Sequence, residues 1–438
     1  MKRIIAFLFI AVFAAAPAFA GGGAEAAAAE ETIAFTMMNY GDFAAQDRLL
    51  RDLTSEFREE TGIRVEYEII NWAQAREQIT TWHLGGDAPD VSDMFWSYTF
   101  SDLGGGEYGT MPLNDLMDEY IPDLEERWIG ASLGDVRYRG NLYGIPWRID
   151  VRGVWYRSDF LEEAGLDPDG LNTWDDLVEY GKALTERDAA GNVTRWGVGI
   201  SDDHVQAFYP FLWQAGGSFL DETFTRATID TPEGREALQF VVDLVNEHEV
   251  MSIDNFIDPS YDDEAEFAGG RTAINPSITG YKSFVENNAP HLTDVWKGRA
   301  PLMNRERLGF QGAGYFGLNY QSDKHEAGMQ WLAFLARNEN MLRLAQTLGQ
   351  LPPVVPVLED PYFSEDWAFS GQIEALPYGR TSQHPHPAWG AITNNQPGAP
   401  LYDMIADAVS GSISVAEATA RAQREMQQLL DETDMEDF

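Results

Sequence analysis

Hydrophobic and polar positions change period repeatedly along this chain. Thr32 to Met38 is an apolar-rich run of strand length, and the polar loop Asn39-Tyr40-Gly41-Asp42 ends it. Leu49, Leu50, Leu53 and Phe57 then recur at helical spacing until Gly62 stops the helix. From Ile63 to Ile70 the period falls to two, with Val65, Tyr67 and Ile69 alternating against Arg64, Glu66 and Glu68. A second helix is expected from about Trp72 to Trp82. Gly85 to Val91 reads as a turn entering a third strand that runs toward Trp96. This alternation predicts an α/β fold, a parallel sheet with helices on its faces.

The second half repeats the alternation. Gly140-Asn141 is a turn, Val151 to Tyr156 is a β-rich run, and a short helix closes at Gly165. Thr173 with Asp176 marks a capped helix start, running to about Arg187, and Arg195 to Ile200 reads as a strand. Thr231-Pro232-Glu233 places a cap and then proline at the first helical position, opening a helix to about His248. Ser322 is expected to cap a helix to Arg337 that turns Trp331, Leu332, Phe334 and Leu335 inward. Ser414 and Glu417 form a capping box for the last helix, and the acidic tail from Asp431 is expected to fray. There is no 20–50-residue repeat, which argues against a solenoid or propeller.

Length points to two domains, because 438 residues exceed what one core usually serves. Chain crossovers are expected near Gly144–Pro146, Arg299–Pro301 and Gly349–Pro356, where Pro and Gly gather between elements. Three crossings give two discontinuous lobes. Residues 32–144 and 302–350 form an N-terminal lobe, and residues 145–301 and 351–438 a C-terminal lobe. A cleft between lobes is where small-molecule sites tend to lie. Residues 1–20 have the form of a secretory signal peptide: a basic start at Lys2-Arg3, an apolar run from Ile4 to Ala16, and Ala18-Phe19-Ala20 for cleavage. Residues 21–31, Gly- and Ala/Glu-rich, read as a flexible leader.

Charge removes several classes of partner. The formal charge is −41, and losing Lys2 and Arg3 with the signal deepens it by two. The remaining lysines are Lys182, Lys282, Lys297 and Lys324. Nucleic acid and anionic membrane are excluded as partners by that field. Such an acidic surface keeps a secreted protein soluble, and it also suits a saline or alkaline habitat. There is no cysteine, so the cores must suffice without disulfides.

Five islands occur in order across nearly the whole exported chain. They are Phe57-Arg58-Glu59-Glu60-Thr61-Gly62-Ile63-Arg64-Val65; Ala88-Pro89-Asp90-Val91; the stretch Gly140 to Leu177; Leu212 to Phe219 around Gly216-Gly217; and Phe267 to Asn275, followed by Gly309–Asn319 and the Ala327–Leu335 helix. Together they resemble family 1 extracellular solute-binding proteins, the sugar-capturing receptors of ABC importers, of which maltose-binding protein is the familiar type. The resemblance implies a type II periplasmic-binding-protein fold: two discontinuous α/β lobes, a hinge and an interdomain cleft. It also implies permease subunits as partners. Tyr156-Arg157-Ser158-Asp159 departs from the family's tyrosine, asparagine, lysine, aspartate run, in keeping with the low lysine content. The lipid-attachment cysteine is missing as well, so a periplasmic location without anchoring is expected, as a monomer.

Sugars offer hydroxyls at their edges and C–H groups on their faces, so their sites combine aromatic surfaces with planar hydrogen-bonding groups. Asn39, Tyr40 and Asp42 lie in the first strand-end loop. Trp96 and Tyr98 follow the third strand at the open sheet edge, where such folds bind ligands. Trp96 would otherwise pack between helices. Trp147, Asp150 and Arg152 follow the first crossover. By resemblance Asp150 matches a sugar-binding carboxylate; the alternative is an Asp150–Arg152 salt bridge. His204, Gln206 and Trp213 precede the glycine pair, and Trp213 is either cleft wall or helix core. Asn275 and Tyr281 follow a strand ending at Ile274. Gly314 and Tyr315 belong to a glycine-rich stretch that lets backbone approach a ligand. Trp389 is a possible aromatic platform in a loop that also holds His384 and His386, two histidines without a third ligand in sequence and so a poor metal signal.

Catalytic signals are thin. Gly130-Ala131-Ser132-Leu133-Gly134 matches GxSxG, but the charged Leu124–Ile129 before it is no buried strand. There is no P-loop and no HExxH motif. With 71 acidic residues, paired carboxylates arise by chance. The expected function is capture of a sugar or oligosaccharide, with no enzyme activity, metal or cofactor. An exported carbohydrate-active enzyme and a receptor for a non-sugar solute are the alternatives.

Overall fold

A computed structural model describes residues 30–94, 109–381, 384 and 386–433. The expected Trp96 and Tyr98 contacts, the signal peptide and most of the leader fall outside the described residues.

The strands in chain order are β1 (Thr32–Met38), β2 (Arg64–Ile70), β3 (Val91–Met94), β4 (Arg137–Tyr138), β5 (Asn141–Leu142), β6 (Ile145–Val151), β7 (Gly153–Arg157), β8 (Glu186–Arg187), β9 (Val193–Val198), β10 (Thr272–Ile278), β11 (Trp296–Arg299), β12 (Gly309–Leu318) and β13 (Gly379–Thr381). One sheet has the order β13-β12-β3-β1-β2, with β6 also paired to β12. The other runs β11-β7-β10-β9-β8. The first three strands are parallel, as their alternation with helices demands. The long β12 is antiparallel to β3 and to β6, so the sheet is mixed rather than purely parallel.

Helix α1 (Phe43–Thr61) buries Leu49, Leu50, Leu53 and Phe57, and Gly62 ends it at φ 76. Helix α2 (Trp72–Gly85) follows β2 directly. The helix Trp174–Leu184 starts with the expected Thr173/Asp176 capping box, and Val415–Glu432 with that of Ser414 and Glu417. Thr231 caps Pro232–Asn246. Ser322 does not cap: the helix begins at His325, and the Ser322 hydroxyl donates to Asp90 at 2.6 Å instead. Its oxygen accepts from the Lys324 amide at 3.0 Å, so it closes the turn before the helix and not the helix's first turn. Gly130–Gly134 is a short helix following another short helix, Leu124–Arg127, and not a strand-to-helix elbow.

The passage between sheets comes later than the proline and glycine at 144–146 suggest. Strand β6 stays with the first sheet, paired to β12 from Ile145 through Val151. The very next strand, β7, belongs to the second. Arg152 alone stands between them. Among the described residues, buried hydrophobics gather in three clusters. One joins β1, β2, α1, β6 and β12 with the helices at 325–348 and residues 351–375. A second covers 154–256 together with 388–430. A third, around Trp155, Phe267 and Trp296, takes in Ala368. Residues 351–363 therefore pack with the first sheet, on the far side of the expected boundary at 350.

Candidate functional site

Strands β1 and β2 run parallel and end on the same edge of the first sheet, the place where such folds bind ligands. Asn39 and Tyr40 follow β1, and Trp72 follows β2. The Trp72 indole N–H donates to the Asn39 carbonyl at 2.8 Å. Its ring meets Tyr40 edge to face, with centroids 5.4 Å apart at 88°. Trp72 nevertheless stays 43% exposed, a large aromatic surface left open at a strand end.

Strand β6 supplies the floor. Its period of two sends Trp147, Ile149 and Val151 into the core and leaves Arg148, Asp150 and, just past its end, Arg152 on the other face. The Arg148 guanidinium lies 5.1 Å from the Tyr40 ring centre and 5.9 Å from that of Trp72, within cation–π range of both. Gly314 pairs with Arg148 across β12–β6, and a Cβ there would come within 2.7 Å of Arg148 Nε. Gly314 thus makes room for an arginine, a different use from the backbone approach to a ligand expected of it.

A cavity of about 360 Å³ opens between these groups and the second sheet. Asn39, Tyr40, Trp72, Arg148 and Asp150 line one side; Glu264, Thr279, Tyr281 and Lys282 line the other. Tyr281 sits at φ 51 and its hydroxyl donates to Asp263. Lys282 is held by Glu286 and Asp366, each at 2.5 Å. At the rim Ser283 packs against two glycines of the first half, since a Cβ on Gly41 or on Gly349 would stand 3.2 Å from its Oγ.

Asp150 and Arg152 pair at 3.2 Å, and Arg152 reaches on to Gln206 at 2.8 Å. Asp203 caps the helix that carries Gln206. Acidity concentrates along this wall. Burial, joined by the neighbouring charges of Asp202 and Glu264, pushes the Asp263 carboxyl up to about 8. Burial, with Asp262 and Asp202, pushes Glu264 up to about 7, and burial pushes Asp203 up to about 6.

Of the residues expected from sequence, Asn39, Tyr40, Asp150 and Tyr281 line this cavity, with Arg152 and Gln206 in the adjoining network. The other described ones go elsewhere. Trp147, Tyr315, Trp213 and Trp389 are 0–3% exposed and belong to the cores. Trp147 stacks on Phe316 and Trp213 meets Tyr209, because each sits on the inward face of its element. Asp42 is the N-cap of α1, accepting from the Ala44 and Ala45 amides. Asn275 is fully buried in β10, and its Oδ1 accepts from the Ser277 amide. His204 is buried against Phe256 and Tyr402, and burial lowers it to about 4. His386 spends its Nδ1 accepting the Ala388 amide, which leaves one ring nitrogen for anything else.

Sequence reading missed Trp72, Arg148, Glu264 and Lys282. For Arg148 a signal existed: in Trp147-Arg148-Ile149-Asp150-Val151 the polar residues alternate with the apolar ones, so one face had to be core and the other cleft.

The sequence profile described as bacterial extracellular solute-binding protein matches residues 40–342. An arabinooligosaccharide-binding protein of Halalkalibacterium halodurans is 29% identical over 288 residues, which span 64% of this chain and 62% of that relative. A solute-binding protein of Thermotoga lettingae, solved with α-D-tagatose, superposes with a TM-score of 0.75 at 22% identity, covering 91% of this chain and all of that one. The GacH receptor of Streptomyces glaucescens, solved free and with acarbose, also gives 0.75, at 18% identity over 92% of this chain and all of its own. No helix among the described residues is long and apolar enough to cross a membrane.

Proposed function

Because the chain belongs to the bacterial extracellular solute-binding protein family, we propose that it is the receptor of an ABC importer and that it captures a sugar or oligosaccharide between its two sheets. The observation that carries this reading is the open indole of Trp72, braced by Tyr40 and flanked by Arg148 and Asp150, facing Glu264 and Tyr281 across one cavity. An aromatic face takes the C–H side of a pyranose or furanose, while charged planar groups take its hydroxyls. The two halves act as lobes, and closure brings their walls onto one ligand through a change centred on Arg152. Ligand selects the closed form because both walls contact it together. The closed receptor then docks on membrane permease subunits outside the cytoplasm.

A hydrolase would need two carboxylates placed on either side of one bond. Asp263 and Glu264 are chain neighbours on one helical turn, and Asp150, which faces Glu264 across the cavity, is engaged by Arg152, an arrangement that favours binding over cleavage. A thermal-shift screen of arabino-, malto- and chito-oligosaccharides tests the reading, since a ligand of the native state raises the melting temperature by mass action. The relative that binds arabinooligosaccharides puts that series first. A rise in melting temperature with the sugar recovered intact supports a receptor. Recovery of cleaved sugar would sink it.

A further inference from the structure

A single buried carboxylate ties the aromatic wall together. Asp93 stands near the end of β3 and is 1% exposed. Its Oδ2 accepts from the Tyr40 hydroxyl at 2.7 Å and from the Met38 amide at 3.3 Å. Its Oδ1 accepts from the Trp147 indole at 2.9 Å. Phe316 of β12 lies opposite it in register. Gln46 of α1 grips the same loop from behind, accepting from the Tyr40 amide and donating to the Met38 carbonyl. Among the described residues, the charged and titratable groups that act on Asp93 are Tyr40, on the loop after β1, and Arg148, on β6.

Burying a charge is costly, and a neutral amide could hold one or two of these partners. Only a carboxylate accepts from all three donors at once and also attracts the Arg148 cation lying over Tyr40 and Trp72. We propose that Asp93 is a positioning residue for the ligand. Its carboxylate sets the Tyr40 ring, and through it Trp72 and Arg148, in the arrangement that receives a saccharide, so neutralising that carboxylate weakens binding. The inference rests on the receptor reading above.

Neutralisation lies within an ordinary pH range. Burial pushes the Asp93 carboxyl up to about 6. The group is charged above that pH and neutral below it. Once protonated, one oxygen turns from acceptor to donor, the attraction on Arg148 is lost, and the three donors no longer share one anion. Asp203, Asp263 and Glu264 across the cavity titrate nearby, so the effect of Asp93 is read as a difference between the parent protein and Asp93→Asn.

The experiment has two arms. In the first, indole N–H resonances of the ligand-free protein are followed by NMR from pH 4.5 to 8. The Trp147 signal is expected to titrate near pH 6, the Trp72 signal to move with it, and both steps to vanish in Asp93→Asn. A Trp147 signal that does not titrate, or a Trp72 signal indifferent to it, would overturn the proposal. In the second, affinity for arabinotriose and maltotriose is measured across the same range. Parent affinity is expected to fall about tenfold between pH 7.5 and 5, and Asp93→Asn to be weaker at pH 7.5 by a similar factor and to lack the step near pH 6. Equal affinities and equal profiles would overturn the proposal. Tyr40→Phe, which keeps the carboxylate and removes one donor, guards against an Asp93→Asn protein that does not fold; it too should bind more weakly at pH 7.5. If neither sugar binds, the receptor reading for these sugars fails, and the indole titrations decide the positioning role by themselves.

Discussion

Trp72, which lines the cavity, donates its indole N–H to the carbonyl of Asn39 at 2.8 Å and still leaves 43% of its surface exposed. The hydrogen bond fixes the ring's angle without hiding its face. Trp72→Ala should therefore cost little stability and much binding. Losing one stacked aromatic removes about 2 kcal/mol, a drop of tens-fold in affinity. Calorimetric titration with the best saccharide, alongside a melting curve, separates the two effects. An unchanged affinity would remove Trp72 from the site.

Trp147 should behave in the opposite way. It is fully buried, stacks on Phe316 at an interplanar angle of 8°, and donates to Asp93. Trp147→Ala leaves a cavity and takes the indole donor from Asp93 Oδ1, costing about 3–5 kcal/mol. Denaturant unfolding would show it as a lower midpoint. A midpoint equal to the parent's would mean that the ring is not core.

Gly314→Ala probes the seat of Arg148. The new methyl would stand within 2.7 Å of Arg148 Nε and 3.0 Å of its Cγ, so the side chain must swing away. Arg148 would leave the Tyr40 and Trp72 rings, and affinity should fall several-fold through lost cation–π contact of about 1 kcal/mol. Arg148→Lys should mimic the loss, since lysine lacks the planar fork. Ligand titration of both variants checks this, and parental affinity in Gly314→Ala would refute it.

Stability should fall as pH rises. Burial raises Asp93 and Asp203 to about 6, Asp135 and Glu264 to about 7, and Asp263 to about 8, all above their ordinary range near 4. Between those limits the folded chain holds more protons than the unfolded one. A raised pKa contributes stability below the unfolded value and loses it as pH climbs through the folded one. The window is therefore roughly pH 4 to 8. The melting temperature at pH 5.5 should exceed that at pH 8.5 by several degrees. Mutual repulsion in a chain of formal charge −41 acts in the same direction, and molar salt should recover part of the loss at pH 8.5. Scanning calorimetry at two pH values and two salt concentrations reads both terms; a melting temperature flat in pH would contradict the first.

What sequence reveals of this molecule follows from what is local. The caps at Thr173, Thr231 and Ser414 are side-chain-to-backbone bonds within three residues, and each is present. Ser322 looked the same, yet its hydroxyl serves Asp90, which is 232 residues away. The site divides in the same manner. Asn39 and Tyr40 were legible because they end a strand whose period is plain. Trp72 was absorbed into a helix, although as its first residue it also lies at a strand end. Trp147, Trp213 and Trp389 were attractive as aromatics, but which face of an element meets the core is decided by partners distant in sequence. The change of sheet at Arg152 was hidden because a single residue separates β6 from β7 and Gly153 is the one turn signal between them.

That change of sheet has a mechanical meaning. Arg152 stands at the joint, and its own side chain spans it, from Asp150 on one half to Gln206 on the other. It is a brace fastened across its own pivot. In the closure proposed above, bending at Arg152 would have to strain its hydrogen bond to Gln206 while Asp150 holds the other side of the guanidinium, so the resting angle between the halves would be biased by one side chain.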